Sequence, residues 1–210
     1  MSDGSLRERK KRETRLRLHH AALELAARDG LNAVTAGAIA EHAGVSPRTF
    51  FNYFPTKDAA IIGTDPELPQ QLAAAFEERP AEEDPRNSLR HILTAHLVSV
   101  AAAPALRHQR NRLMATHPEL AGTLGGISRQ VQEALAEAVA RRSGGDPAHD
   151  PYPQLTVAVA LAAVSTALAR RRARTNGPDD MQADLDIVFD LLEAGIPAPS
   201  GRPARTPHTS

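Results

Sequence analysis

The sequence predicts an all-α protein, with a small three-helix unit at the N-terminus and a larger helical body behind it. Three observations predict it. Ala and Leu dominate the 210 residues and β-branched residues are sparse, a composition that favours helix. Proline, glycine and Asp-Pro pairs cut the chain into helix-length segments. Within those segments apolar residues recur at helical spacing, and no alternating run suggests a strand.

The first helix is expected from about Arg9 to Arg28. Leu18, Ala22, Leu25 and Ala26 share one face, and Gly30 ends it. Its start, RERKKRETRLR, carries seven basic residues against two acidic ones. Thr35 can cap a second helix reaching about Ala43, where Gly44 supplies a left-handed end. After a three-residue turn, Ser46 is a good N-cap for a third helix. Pro47 sits at its first position, where a missing N–H costs nothing. Pro55 stops that helix, and Thr56 caps a fourth with Lys57 in its first turn. Ile39, Ala40, Ala43, Val45, Phe50 and Phe54 fall in register as the apolar support, and Ala40 is small where two helices must cross.

Residues 44–57, GVSPRTFFNYFPTK, are the most informative stretch. Four of the seven Phe and Tyr residues of the whole chain lie between Phe50 and Phe54. Phe50 and Phe54 are one helical turn apart and suit a core. Phe51, Asn52 and Tyr53 must then point away from it. A short helix with an apolar anchor face and an exposed aromatic, polar and basic face suits a DNA major groove. Beside such a helix, the basic start of the chain reads as a phosphate or minor-groove contact rather than a merely solvated helix end.

The body follows the punctuation. Asp65-Pro66 opens a segment ending near Pro80, and Asp84-Pro85 opens one to about Ala103. Pro104 starts a helix through Thr116, and Pro118 starts a long one to about Ser143. Residues 144–153 form a loop. Helices from about Gln154 to Arg174 and from about Pro178 to Ala194 complete the body. The expected division is a helix-turn-helix DNA-binding domain at 1–56, a helical ligand-binding and dimerisation domain at 57–196, and a disordered tail at 197–210, which holds four prolines and no apolar period. Gly122, Gly125 and Gly126 interrupt the Pro118 helix. Close helix packing or an irregular first turn explains them best, and a flexible point beside a ligand cavity is the alternative. Leu155, Val159, Ala162, Ala163, Thr166 and Ala167, with Leu185, Val188, Phe189 and Leu192 on the last helix, form stripes that suit either an internal core or a C2 dimer through residues 154–194. The dimer is favoured.

Charge divides the same way. Formal net charge is zero, yet residues 1–57 hold 10 Lys and Arg against 6 Asp and Glu. A basic head on an acidic body fits a nucleic-acid-binding module joined to a domain with another task. With no cysteine, a disulfide scaffold and a thiolate nucleophile are excluded. No apolar run follows the basic start, so no signal peptide is expected. The most apolar segment, Leu155 to Leu168, is short of the ~20 residues that span a bilayer. A soluble cytoplasmic protein without a membrane partner is expected.

No catalytic site, cofactor or metal is expected. His91 and His96 are five apart, ~140° around a helix, and do not share a face. His19 and His20 diverge. No G-x-S-x-G, P-loop or H-E-x-x-H occurs. An apolar cavity is expected where Leu93, Leu97, Val100, Leu113, Met114, Leu120, Leu124 and Ile127 face one another. His117 lies near it. Arg107, Arg110 and Arg112 can hold an anionic group at its mouth. Leu93, Leu97, Arg110, Met114, His117 and Leu124 are the candidate ligand contacts. The alternative is that they only form core.

The stretch AALELAARDGLNAVTAGAIAEHAGVSPRTFFNYFPTKDAAI resembles the N-terminal domain of the TetR family of bacterial transcriptional regulators, and the number and order of the later helices fit. SPRTFFNYFPTK, PEL at 118–120 and EALAEAVARR at 133–142 are similar to the subgroup that includes the mycofactocin-system regulator, whose inferred effectors are acyl-CoA-like. The resemblance implies that Thr35 meets a phosphate and that Ser46, Pro47, Arg48 and Thr49 face bases and backbone. It implies that Asn52 and Tyr53 meet the sugar-phosphate chain and that Lys57 holds a phosphate. Phe51 stands where the family usually has Tyr, so its contact should be apolar. Ala38 stands where Glu or Gln would complete a capping box with Thr35. The implied protein is a homodimeric repressor released from a palindromic operator by a small hydrophobic effector. A constitutive DNA-binding protein without inducer is the alternative, and a helical enzyme with a borrowed N-terminal domain is a distant third.

Overall fold

Two separate hydrophobic cores organise the protein, each formed by the inward faces of helices that the punctuation delimits. The computed structural model describes residues 3–101, 104–146, 149–173 and 180–196. Among these the backbone forms helices and no strand.

The head comprises α1 (Asp3–Asp29), α2 (Ala36–His42), α3 (Pro47–Tyr53) and α4 (Lys57–Ile62). Helix α1 begins at Asp3 rather than near Arg9, so the basic segment is helical. Thr35, Ser46 and Thr56 cap α2, α3 and α4, accepting from the amides of Ala38, Thr49 and Ala59 at 3.1 Å each. Thr35 thus makes its half of the cap without an acidic partner. Gly44 turns the chain between α2 and α3 at φ +67°. Leu18, Leu23, Ile39, Phe50, Phe54, Ile61 and Ile62 fill the head core. Because α4 buries Ala59 through Ile62 there, the head core continues past the expected boundary at 56.

The body comprises α5 (Leu68–Glu77), α6 (Pro85–Ala101), α7 (Pro104–Thr116), α8 (Leu120–Ser143), α9 (Pro151–Ala173) and α10 (Met181–Glu193). Helix α8 packs on α5 and α9, and α10 packs on α9 and α6. Phe76, Leu89, Leu135, Val139, Val157 and Leu185 form the second core. Arg142 closes it at one end. Its guanidinium lies 3.9 Å from the Phe76 ring centre and donates to the carbonyls of Phe76 and Arg79 and to Ser88 Oγ. The carbonyl of Phe76 in the last turn of α5 and that of Arg79 just past it are engaged in this way. Beside it Glu83 accepts from Arg79 at 2.8 and 2.6 Å and from Ser88 at 2.6 Å, which holds its carboxyl down at about 2.

Helix α7 belongs to the body by sequence and to the head by packing. Leu113, and Leu120 at the start of α8, are buried in the head core, with Leu106 and Met114 packed against it. Gln109 donates to the carbonyl of Leu23 on α1 at 3.3 Å.

Three expectations are corrected here. First, α9 begins at Pro151, because prolines fit a helix's first turn, so the loop is shorter than expected. The stretch Pro151–Arg171 is consequently long and apolar enough to cross a bilayer by length and composition, which Leu155 to Leu168 alone is not. Second, Ala163, Ala167, Leu185, Val188 and Phe189 face inward in the body core. The stripe left outside is Leu155, Ala162 and Thr166 on α9, with Ile187 and Leu191 on α10. Third, the glycines of α8 are not close-packing positions: a Cβ at Gly122, Gly125 or Gly126 would meet nothing within 4 Å. The segment expected to be a disordered tail, 197–210, lies outside the described residues.

Candidate nucleic-acid interface

Helix α3 stands on an aromatic base. The rings of Phe50 and Phe54 lie fully inside the head core with centroids 6.1 Å apart. Phe51 meets Phe50 edge-on at 5.3 Å and is 58% exposed. A large apolar ring on the surface beside a buried one suits an apolar contact outside the protein. Ser46, Pro47, Arg48 and Asn52 are exposed on the same side, and Thr49 is half-buried. Ser46 Oγ lies 2.8 Å from Thr49 Oγ1 while accepting the Thr49 amide, so the two hydroxyls at the start of α3 are held in place by the cap. Thr35 is exposed at the start of α2.

Two sequence-predicted residues do more than expected. Tyr53 does not point wholly away: it is half-buried, packs on the head core, and its ring lies 5.9 Å from the guanidinium of Arg15. It sits at the last residue of a seven-residue helix, where the side facing α1 is already turning inward. Lys57 is half-buried, and its ammonium donates to the carbonyls of Leu31 at 2.9 Å and Val34 at 3.0 Å. Two of its three donors therefore hold the turn between α1 and α2.

Helices α1 and α3 enclose a cleft of about 710 Å³ lined by Leu6, Arg7, Lys10, Lys11 and Thr14 on one side and Thr49, Asn52 and Tyr53 on the other. The basic start of α1 therefore lies beside α3. Lys11 pairs with Glu67, and Arg15 pairs with Asp65. Sequence reasoning missed both pairs. Their partners are 56 and 50 residues apart, and no local spacing signals them.

His19 shows how the head is closed. Its Nδ1 lies 2.8 Å from the Ala60 carbonyl, which assigns the proton to Nδ1. Burial pushes its pKa below the ordinary value, with Arg110 and His20 adding to the shift against the hydrogen bond. Gly63, left-handed at φ +74°, ends α4 directly over the ring. A Cβ there would lie 2.5 Å from His19, so only glycine fits.

The six candidate ligand contacts are not brought together. Leu93 is buried in the body core and Leu97 packs against it, whereas Met114 packs on the head core. Leu124 is 37% exposed. His117 pairs with Glu119 at 3.0 Å. Arg110 is half-buried near His19. The Arg107 side chain lies outside the described residues. A second cleft, of about 530 Å³, lies between α6 and α10 and is lined by Arg90, His91, Thr94 and Asp186 among others, with none of the six. Among the described residues no group of three or more His, Asp or Glu is placed to hold a metal.

Residues 18–60 match the family of bacterial regulatory proteins, tetR family, and residues 83–197 match the MftR C-terminal domain. The chain is 33% identical over 194 residues to the HTH-type transcriptional regulator TcmR of Streptomyces glaucescens, covering 88% of this chain and 83% of that one. It is 30% identical over 181 residues to a protein assigned as a mycofactocin biosynthesis transcriptional regulator, MftR, from Mycobacterium tuberculosis, covering 85% and 90%. In fold it is similar to SmeT, the repressor of the Stenotrophomonas maltophilia multidrug efflux pump SmeDEF, with a TM-score of 0.51, 19% identity and coverage of 92% and 97%.

Proposed function

Because the chain belongs to the TetR family of bacterial transcriptional regulators, we propose that it is a homodimeric repressor that leaves a palindromic operator when a small hydrophobic effector binds its body. Regulators of this family bind DNA operators and small-molecule effectors and are dimers, and the relatives are regulators rather than enzymes.

The observation that carries the DNA reading is the two-sided α3. Phe50 and Phe54 hold it in the head core, and Ser46, Arg48, Phe51 and Asn52 stand outward from it. In a major groove Arg48 reads a guanine and Phe51 meets a thymine methyl. Thr35, Thr49, Asn52, Tyr53 and the third donor of Lys57 then meet sugar and phosphate. The outward stripe of Leu155, Ile187 and Leu191, exposed by 63, 43 and 47%, supports pairing with a second copy through residues 154–194. That pairing sets the two heads at a fixed spacing, as a palindrome needs. A protein that works on operators works in the cytoplasm, and a second copy covers the apolar outside of α9 without recourse to a bilayer.

An acyl-CoA-like effector is the proposed class. It rests on the match of 83–197 to the MftR C-terminal domain and on the apolar side chains Val98, Val100 and Leu124 left uncovered on α6 and α8. The effector acts by its differential affinity for two dimer states. The division of Leu93 and Leu97 from Met114 between two cores, with Leu124 on the surface, favours the second reading, constitutive DNA binding without an inducer. Selection of a binding site from random duplexes, followed by titration of the bound complex with acyl-CoAs of increasing chain length, tests all three parts. Recovery of a palindrome and release by one chain length are expected. No selected site refutes the DNA reading, an unpaired half-site refutes the dimer, and retention of DNA at every chain length refutes the effector class.

A further inference from the structure

Residues 63–67 join α4 to α5, the first helix of the body core, and two carboxylates on this short segment reach back to α1. Asp65 holds the segment in place. It accepts from Arg15 and, at 3.1 Å, from Gln71, and its other oxygen takes the Glu67 amide at 2.9 Å. The Arg15 and Asp65 side chains are only 15 and 19% exposed, so this pair is a lasting tie. Glu67 differs. It stands at the N-cap of α5, yet its side chain makes no cap bond. Its carboxylate goes to Lys11, a residue lining the cleft between α1 and α3. That pair is 30 and 52% exposed. Lys10 and Arg7 line the same cleft and take part in no ion pair among the described residues.

We propose that Glu67 competes with DNA phosphate for Lys11, so that α5, which Glu67 opens, sets how many cations the head offers to DNA. This rests on the DNA-binding reading. An exposed ion pair is worth little in water and exchanges readily. A phosphate beside α3 takes the lysine when Glu67 lets go. Glu67 is then a counterion tethered to the protein. When phosphate displaces it, the cation leaving the DNA is offset by one drawn to the freed carboxylate, and the salt dependence of binding is blunted. Helix α5 is anchored in the body core by Leu72 and Phe76. Release of Lys11 by Glu67 therefore returns one positive charge per head to the cleft, while the Arg15–Asp65 tie keeps α5 against α1 and α3 is unchanged.

The test is a double-mutant cycle on the full chain, using fluorescence anisotropy of a labelled random-sequence duplex over a range of salt concentrations. Glu67→Gln is expected to tighten binding about two- to fivefold per head at low salt, the range set by an exposed pair. It is expected to steepen the slope of log K against log salt by up to about 0.9 per head. In the Lys11→Gln background Glu67→Gln is expected to change neither quantity. Glu41→Gln, which removes an exposed acid of α2 elsewhere on the head, is expected to leave the slope as it is. Glu67→Ala provides a second variant, and circular dichroism checks that each folds. The proposal is overturned if both Glu67 variants bind no tighter than the wild type. It is overturned equally if the gain persists without Lys11, or if Glu41→Gln reproduces it. Failure of the wild type to bind any duplex sinks the DNA reading as well, whereas binding without Lys11–Glu67 coupling removes this inference alone.

Discussion

The outward face of α3 and the outward faces of α9 and α10 are both amphipathic helix surfaces, and they differ in what they leave uncovered. On α3 the buried side is aromatic, and the exposed side mixes Arg48, Asn52 and hydroxyls with the single ring of Phe51. On α9 and α10 the buried side is aliphatic apart from Phe189, and so is much of the exposed side, in Leu155, Ile187 and Leu191. The first face suits a polyanion with methyl groups in its groove, and the second suits another protein surface like itself. The exposed half of each helix separates the two proposed uses, since both inner halves are ordinary core.

The sharpest way to break the comparison is within α3. Phe50→Ala removes a fully buried ring and is expected to destabilise the head by about 3–5 kcal/mol. Phe51→Ala is expected to change stability by less than about 0.5 kcal/mol and to weaken operator binding. Thermal melts and anisotropy on the same samples separate them. If Phe51→Ala melts the head as Phe50→Ala does, the two-sided reading of α3 is wrong.

The same contrast applies to α9 and α10. Ala163→Asp places a charge in the body core, at a cost of about 3 kcal/mol or more, and is expected to unfold the subunit. Ile187→Asp with Leu191→Asp is expected to leave helicity intact and to give monomers in sedimentation. Retention of the dimer in that pair moves the interface elsewhere.

Arg48 and Lys57 test whether a charge on the head serves DNA or the fold. Arg48→Ala is expected to weaken binding by about 1–3 kcal/mol, to relax sequence preference and to leave the melt unchanged. Lys57→Ala is expected to destabilise the head by about 1.5–3 kcal/mol, because it leaves the Leu31 and Val34 carbonyls without their ammonium. If its third donor meets phosphate, the salt slope also falls by roughly one.

Acid reveals the head through His19. Its folded pKa lies below the ordinary 6.5, chiefly because it is buried. Below pH 6.5 the unfolded chain therefore binds a proton that the folded head refuses. Head stability is expected to fall as the pH drops from 6.5 towards the folded value. Melts of wild type and His19→Asn across that window check it, the variant giving a flatter profile. His96 shifts in the same direction, again chiefly through burial, so the slope is not abolished. The smallest effect is expected at Gly125, where a Cβ meets nothing. Gly125→Ala should raise the melt by an amount equivalent to about 1 kcal/mol or less. A loss of effector binding in that variant would place the effector beside α8.

Local chemistry was legible in the residues. The caps Thr35, Ser46 and Thr56 and the left-handed Gly44 act over three or four positions, so their signals are local too. The two-sided α3 was legible for Phe50, Phe51 and Phe54. It was half-legible for Tyr53, whose position at the end of the helix leaves its direction to α1. The stripes on α9 and α10 were seen, but periodicity alone does not say which of two apolar faces turns inward. Ala163 and Val188 were for that reason expected at the interface and lie in the core. The candidate ligand contacts were separated for a similar cause. Leu113 and Met114 read as neighbours of Leu93 until α7 packs on α1 instead.

By itself the sequence determined the all-α class, the punctuation into helices, the capped helix-turn-helix and the outward set Ser46, Arg48, Phe51 and Asn52. Those properties arise within single helices or between adjacent ones, where hydrogen bonding and side-chain direction depend on spacing alone. Tertiary structure decided the rest: that α4 and α7 complete the head core, that Lys57 ties a turn, that His19 needs Gly63 above it, and that Glu67 reaches Lys11. Each of these joins groups distant along the chain, and such contacts follow from how helices pack rather than from the period of any one of them.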